Sequence, residues 1–215
     1  MSRPLLITDC DEVLLHMVSH FGSWLGEAHE IDFVPDGADF SRAMTRRIDG
    51  SVLERAEMWP LLGGFFDTEM HRQTLVPHAR AALAEIAGYA DVVILTNLED
   101  HRQAHRVDQL RAFGIDYRVV TNQGGKGPPV KALVAEYGAT ATVFVDDLAH
   151  HHQSVSEEAP DVWRLHMISE PRLAPNVPAA PAAHVRIDDW IAAKEWIAGK
   201  LAGLTDSRKQ RNPAS

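Results

Sequence analysis

The sequence has little of several features that mark common protein classes. It contains one cysteine in 215 residues, so no intramolecular disulfide can form and nothing indicates an oxidising compartment. No apolar run approaches the roughly 18 residues that a membrane-spanning helix requires. Residues 1–9 meet an acidic side chain too early to be a secretory signal peptide. These absences predict a cytoplasmic protein with no membrane partner.

Basic residues are also in short supply. The 21 Lys and Arg stand against 30 Asp and Glu, which gives a formal net charge of −9. An anionic chain repels nucleic-acid phosphates unless it segregates a basic face, and the compact basic run at residues 208–211 lies in the C-terminal tail. Nucleic acid is therefore not an expected partner. Hydrophobic residues make up 45% of the chain, enough for one buried core.

Short apolar runs that end in polar or acidic residues are the main pattern that is present. Four of them are β-branched and non-alternating, as buried parallel strands are, and they span residues 4–9, 91–97, 117–121 and 141–147. A weaker run at 162–168 is expected nearer a sheet edge, and a final strand is expected at 184–187. Parallel strands of this kind bind ligands at their carboxyl ends.

Helical periodicity separates these runs. Helices are predicted at residues 78–87 and 100–113, the second with an apolar face of Ala104, Val107 and Leu110. Another helix carries Val130, Leu133, Val134 and Tyr137 at helical spacing before Gly138, and Asp188 or Asp189 opens a last one. The alternation predicts an α/β fold, a Rossmann-like parallel sheet with helices on both faces.

Residues 15–76 break the alternation, because the segment is far longer than an ordinary crossover and shows no convincing strand. One helical face there runs through Leu14, Met17, Val18, Phe21, Trp24, Leu25 and Ala28. Ser51-Val52-Leu53-Glu54 reads as a capping box that starts a second helix. The prediction is a small α-helical cap at 15–76 inserted after the first strand, a core formed by 1–14 and 77–205, and a disordered tail at 206–215.

Carboxylates follow two of the predicted strands. Asp9 and Asp11 come directly after the first strand, where one can attack phosphorus and the other can protonate a leaving oxygen. Asp146 and Asp147 end a later strand in the same way. Clustered carboxylates repel one another, so a divalent cation is their natural partner. Each pair alone is also compatible with an ordinary turn or helix cap at the end of a strand.

Polar groups suited to a phosphate occupy two further positions. Thr96 and Asn97 close the second strand, where a hydroxyl and a backbone N–H can hold phosphoryl oxygens. Lys126 precedes the helix of Val130, beside the positive end of the helix dipole, where it can neutralise a phosphoryl group. Lys131 is a rival for that role, but it lies inside the helix and is expected to point to solvent.

The order of these features resembles the haloacid dehalogenase-like (HAD) superfamily of hydrolases. Residues 9–14 look like its first motif, residues 93–97 its second, Lys126 its third and residues 143–147 its fourth. Val13 departs from the threonine that many members have. A receiver domain is a less fitting comparison, because its Thr and Lys follow all its acidic positions, whereas here Asp146 and Asp147 come last.

The resemblance implies a role for each matched residue. Asp9 would be the nucleophile that forms an aspartyl-phosphate, Asp11 the general acid/base, and Thr96, Asn97 and Lys126 the phosphate-binding groups. Mg2+ would be held by Asp9, the backbone carbonyl of Asp11 and the acidic pair, with Asp147 favoured as the direct ligand and Asp146 bonded to Lys126 or to a metal-bound water. The cap would close over the site and select the substrate.

The function implied is hydrolysis of a small phosphorylated metabolite, since Asp11 supplies a proton that a halide leaving group would not need. Two alternatives remain open: a phosphomutase on the same scaffold, and a non-catalytic binding or regulatory protein. His16, His20, His101 and His105 are expected to be solvated or on helix faces rather than in a zinc site. The run His150-His151-His152 follows the acidic pair closely, so it is compatible equally with the rim of the active site and with an exposed loop.

Overall fold

The computed structural model describes residues 2–35 and 42–203. Its strands are β1 (Leu5–Thr8), β2 (Leu15–His16), β3 (Ile31–Phe33), β4 (Met44–Arg46), β5 (Thr74–Leu75), β6 (Asp91–Thr96), β7 (Arg118–Thr121), β8 (Thr142–Asp146), β9 (Trp163–His166) and β10 (Val185–Arg186). Its α-helices are α1 (Val18–Ala28), α2 (Arg55–Thr68), α3 (Ala79–Ala87), α4 (Gln103–Ala112), α5 (Gly127–Tyr137), α6 (Ala149–Glu158) and α7 (Trp190–Leu201). Short 3-10 turns lie at Met70–Arg72, Asp100–Arg102 and Ala174–Asn176.

Six strands form one parallel sheet in the order β10-β9-β8-β1-β6-β7. Strand β1 lies in its interior, with Ile7 opposite Val93 of β6 and Phe144 of β8. All four residues of β1 are buried, as its continuous apolar run predicts. The α/β Rossmann-like core is therefore confirmed, and β9 lies one strand from the edge because β10 pairs outside it.

Alternate residues of the strands pack into two apolar layers. Leu6, Ile94 and Val145 face one layer, which includes Leu83 of α3 and Trp190 of α7. The other layer contains Ile7, Val93 and Phe144 of the sheet, and helices α5 and α6 contribute Val130, Leu133 and Val155 to it. Helices thus cover both faces of the sheet, and the carboxyl ends of the strands are left for the site.

One helical prediction is confirmed and another needs qualification. Helix α7 begins as predicted, because the Asp189 side chain accepts a hydrogen bond from Ala192 N at 2.9 Å. The predicted helix at 100–113 is divided into a 3-10 turn followed by α4. The prediction of its apolar face was wrong in part, because Ala104 is exposed and the side chain of Arg106 is buried. A charged residue occupies the inward position because it pairs with the half-buried carboxylate of Asp11.

The insertion was predicted to be helical, but the structure shows that it is not purely so. Besides α1 and α2 it contains two antiparallel ladders, β2–β5 and β3–β4, which are too short to show a recognisable alternation. Leu14 lies before β2 and outside α1, because its carbonyl accepts Val76 N at 2.8 Å. The apolar cluster of the insertion includes Leu98 and Ile168 from outside it. The division of the chain into cap and core stays a prediction.

The capping box was also misplaced by three residues. Ser51 lies in the turn after β4, where its carbonyl accepts Arg46 N at 2.9 Å. Glu54 is the residue that caps α2, through reciprocal hydrogen bonds with Glu57. The predicted tail at 206–215 and its basic run lie outside the described residues, as do residues 36–41. Over the described ranges, no helix has both the length and the apolar character needed to cross a membrane.

Candidate active site

Asp9 and Asp11 lie on a tight turn at the carboxyl end of β1. The Asp9 backbone N–H donates to Val145 O at 2.8 Å, which continues the β1–β8 pairing into the turn. Leu14 N then donates to Cys10 O at 2.7 Å, which closes the turn around the Asp11 position. Glu12 has a left-handed backbone, with φ of 58°. Its buried carboxylate accepts hydrogen bonds from Met17 N at 2.7 Å and Val18 N at 2.6 Å, at the start of α1, and these bonds hold the turn in this conformation.

Three carboxylates meet at this edge of the sheet. Oxygens of Asp9, Asp146 and Asp147 all lie within 4.8 Å of one another. The Lys126 ammonium is fully buried between two of them, with Nζ 2.8 Å from Asp9 Oδ1 and 2.7 Å from Asp146 Oδ2. The structure thus brings together four residues from three distant segments of the sequence, and the motifs predict that they share a site.

The electrostatics of the cluster show too much negative charge for one lysine. Burial, reinforced by Asp146, raises the pKa of Asp9 from 3.8 to about 7 despite Lys126. Burial and the carboxylates of Asp146 and Asp9 raise the pKa of Asp147 well above its ordinary value. Burial opposes the ionisation of Asp146 too, but the Lys126 ammonium, together with smaller contributions from His151 and His152, lowers the pKa of Asp146 overall.

This excess of charge fits a divalent cation. Both oxygens of Asp146 have partners in the chain, because Oδ2 accepts Lys126 Nζ and Oδ1 accepts Leu148 N at 2.9 Å. Asp9 and Asp147 are the two carboxylates whose pKa is raised by burial, so their negative charges are not fully compensated within the chain. Hard oxygen ligands of this kind suit Mg2+. The side chain of Asp11, by contrast, is not part of the cluster of Asp9, Asp146 and Asp147.

Asp11 is instead held by residues that the sequence did not single out. Both of its carboxylate oxygens accept Arg106 Nη2, each at 2.9 Å, and Oδ1 also accepts Gln73 Nε2 at 2.6 Å. The Arg106 side chain is fully buried and also donates to Gln73 Oε1 at 3.1 Å. Arg106 lies four residues before the buried Leu110, so its position on the inward stripe of α4 was a usable signal.

Lys126 is positioned by the close approach of two helices. It is the residue immediately before α5, as predicted, and Gly127 N donates to Ser154 Oγ of α6 at 2.9 Å. A Cβ atom at Gly127 would lie 2.2 Å from Ser154 O, so only glycine allows α5 and α6 to approach here. Lys131, the rival, points to solvent and pairs with Glu158 at 3.2 Å.

Thr96 and Asn97 lie at the end of β6 but differ in their surroundings. The Thr96 hydroxyl is buried and has no hydrogen-bond partner among the described residues. Asn97 is exposed, and its Nδ2 donates to Gly124 O at 2.9 Å, which ties the loop before Lys126 to the β6 end. Thr96 therefore has a free hydroxyl to offer, whereas Asn97 already has a role in the loop.

The histidines differ from the expectation in two places. His16 lies in β2 rather than on a helix with His20, and it adjoins Glu12 and Glu170. Of the two alternatives for the run His150-His151-His152, the exposed loop is wrong for His151 and His152, which are buried on α6, and burial lowers the pKa of each to about 4. His152 Nε2 contacts Asp146 O at 3.0 Å, so it packs beneath the carboxylate strand. His101 is exposed near Asp67, as expected.

A cavity of about 350 Å³ opens from the carboxylates. Asp9, Asp11 and Asp147 lie in its wall with Asn97 and His151. The remaining wall consists largely of apolar side chains from α1, α2 and the segment after β9. The site is thus a pocket with a mostly apolar wall and a few polar side chains, which also include those of Glu12 and His150.

Comparisons with known proteins identify the fold. No protein-family model matches the sequence, and a comparison with curated proteins gives no match either. Among solved structures, the chain is similar to a putative haloacid dehalogenase-like hydrolase from Burkholderia xenovorans LB400, with TM-score 0.60, 17% identity, and coverage of 94% of this chain and 99% of that one.

Two further structures have the same fold. A predicted phosphoglycolate phosphatase from Haemophilus somnus 129PT has TM-score 0.61 and 16% identity over 90% of this chain and 97% of that one. The putative HAD-hydrolase YfnB from Bacillus subtilis, bound to magnesium, has TM-score 0.59 and 15% identity over 92% of this chain and 99% of that one. The chain therefore has the haloacid dehalogenase-like fold, as its four motifs predict.

Proposed function

We propose that the protein is a Mg2+-dependent phosphomonoesterase that acts through an aspartyl-phosphate on Asp9. The observation that carries this proposal is the cluster of Asp9, Asp146 and Asp147 around Lys126, at the wall of a cavity. Its fold is that of structures described as a phosphatase and as a magnesium-bound hydrolase, which supports the reaction class and the metal. Bound Mg2+ would offset the charge of the carboxylates and of the phosphoryl group.

Asp9 is the nucleophile in this proposal. Its carboxylate oxygen attacks phosphorus, the bond from phosphorus to the ester oxygen breaks, and the leaving oxygen takes a proton from Asp11. Water then attacks the phosphoryl group on Asp9 and gives a proton back to Asp11, so inorganic phosphate leaves and Asp9 is restored. Lys126 and the Thr96 hydroxyl bind phosphoryl oxygens and orient the group for in-line attack.

The contacts of Asp11 add a requirement to these reaction steps. In the structure its two oxygens are engaged by Arg106 and Gln73, an arrangement that suits the anionic base and not the protonated acid. Asp11 therefore has to bind a proton and turn away from Arg106 before it can protonate the leaving oxygen in the first half of the reaction. Its side chain lies in the cavity wall.

The test is hydrolysis of 4-nitrophenyl phosphate by the purified protein with Mg2+. We expect turnover that EDTA abolishes and added Mg2+ restores, since the carboxylate cluster needs a cation. Asp9→Asn should lose all measurable activity, because an amide cannot form the intermediate. Asp116→Asn, at an exposed carboxylate paired with Arg111, is the matched control and should retain it. Undiminished activity in Asp9→Asn, or in EDTA, would contradict the mechanism.

A further inference from the structure

The cavity beside the carboxylates has a mostly apolar wall, and the part of the wall that α1 and α2 form is called its apolar end. The polar side chains of the wall are those of Asp9, Asp11, Glu12, Asn97, Asp147, His150 and His151, and the others are apolar. Six of these side chains come from α1, the approach to it, and α2: Met17, Val18, Phe21, Met58, Leu62 and Phe66. All except Leu62 are otherwise buried within the apolar cluster of the insertion, so they are packed in place.

The mouth of this cavity also exposes apolar surface. The side chain of Trp59 is 55% exposed and that of Leu148 is 40% exposed, and both lie in the cavity wall. Large apolar side chains left in contact with water beside a carboxylate site are typical of a surface that a ligand covers. A ligand that consisted only of a phosphate, bound beside the carboxylates, would leave these apolar side chains in contact with water.

The described part of the wall has few groups that could bind a second anion, and the basic side chains in it are those of His150 and His151. Among the described residues that line the cavity there is no lysine and no arginine. Arg102 lies in an adjoining depression, but its guanidinium is engaged by Asp67, at 2.6 and 3.1 Å. A substrate with a carboxylate or a second phosphate would have to bury that charge against apolar side chains and without a partner.

We infer that the substrate is a phosphomonoester whose leaving alcohol is apolar, an alkyl or aryl group that fills the end of the cavity walled by Phe21, Met58, Leu62 and Phe66. The inference rests on the proposed function and specifies its substrate class. Sugar phosphates, with several hydroxyl groups, would leave those hydroxyls without partners at that end. The cavity volume of about 350 Å³ suits an alcohol of small-molecule size.

The experiment uses n-alkyl phosphates from ethyl to hexyl, because the leaving alcohols are chemically alike and differ only in apolar length. We expect kcat/KM to rise by about threefold for each methylene that enters the apolar end, near the value for burying a CH2 group. Glycerol 1-phosphate and phosphoglycolate, of similar size but polar or charged, should be slower than butyl phosphate by at least about tenfold.

Variants locate the effect in the wall. Trp59→Ser and Leu62→Asn, at exposed or half-buried positions, should each lower the hexyl-to-ethyl ratio of kcat/KM by about threefold or more, because each removes apolar surface that a longer chain would cover. Ile191→Ser, at an exposed apolar residue outside the cavity wall, is the matched control and should not alter the ratio.

A second measurement separates failure of the inference from failure of the proposed function. Calorimetric binding of ethyl- to hexylphosphonate, which are not hydrolysed, reads the cavity without turnover. Affinity that rises with chain length and falls in Trp59→Ser supports the apolar site even if no ester is hydrolysed, in which case the proposed function alone fails. Hydrolysis that is independent of chain length, or faster for glycerol 1-phosphate, would overturn the inference and leave the phosphatase proposal standing.

Discussion

Replacing the buried Lys126 by methionine is the perturbation that most directly probes how the site is held together. Methionine has a similar length and no charge, so Lys126→Met removes the ammonium with little change of volume. Asp9 and Asp146 then remain buried next to each other with their shared cation gone. We expect a large loss of stability at neutral pH, because the carboxylates either stay charged without compensation or bind protons.

The geometry sets the size of the effect. At 2.7 and 2.8 Å, each ion pair has a Coulomb energy of about 6 kcal/mol at an effective dielectric constant of about 20. Much of this attraction offsets the desolvation of the buried charges, and breaking a buried pair by removing one partner destabilises proteins by about 3–5 kcal/mol. The deficit should be larger at pH 8 than at pH 5, because protonation of Asp9 and Asp146 relieves their repulsion.

Urea denaturation in EDTA, followed by circular dichroism, measures this deficit. Lys131→Met is the matched control, since its ion pair with Glu158 is exposed and should contribute about 0–1 kcal/mol. In the Lys126→Met, Asp146→Asn double variant, the loss relative to Asp146→Asn should be smaller by about 1–3 kcal/mol. Equal, small losses for Lys126→Met and Lys131→Met would refute the reasoning.

Three other variants test separate parts of the structure by urea denaturation. Arg106→Met should destabilise the fold by about 3–5 kcal/mol and show a coupling of about 1–3 kcal/mol with Asp11→Asn; additive losses would contradict the pairing. Burial raises the pKa of Glu12 from 4.5 to about 7. The contribution of this carboxyl group to the free energy of unfolding is therefore fully present below pH 4.5 and is lost as the pH rises through 7. Glu12→Gln should thus stabilise the protein by about 2–3 kcal/mol at pH 8 in EDTA and give no gain at pH 4. Burial lowers the pKa of His152 from 6.5 to about 4. As the pH falls from 6.5 to 4, the free energy of unfolding of the wild type should therefore decrease by up to about 3 kcal/mol more than that of His152→Gln. Parallel curves of stability against pH for the two proteins would exclude this.

The sheet and the clustered residues could be predicted from the sequence for a physical reason. A strand buried on both faces reads as a continuous apolar run, and the polar residue that ends it must lie at the carboxyl edge. This logic places Asp9, Thr96 and Asp146 at one edge from their order alone. The glycine and helix spacing around Lys126 likewise predict the loop that brings it there.

The rest depends on contacts between distant residues, which a local pattern does not contain. Arg106 looks like a surface residue in the sequence because its partner, Asp11, is ninety-five positions away. The ladders β2–β5 and β3–β4 pair only two or three residues each, too few to show an alternation. His151 and His152 follow an acidic pair in a polar run, and only the packing of α6 against the sheet shows that they are buried.

The central claim is that Asp9 carries the phosphoryl group during turnover. Its most direct test is rapid acid quenching of the protein during turnover of 4-nitrophenyl phosphate with Mg2+, followed by peptide mass spectrometry. The account predicts a peptide whose mass is increased by one phosphoryl group located on Asp9, absent from Asp9→Asn and from samples in EDTA. Turnover with no phosphoryl group on Asp9, or with the group on another residue, would contradict it.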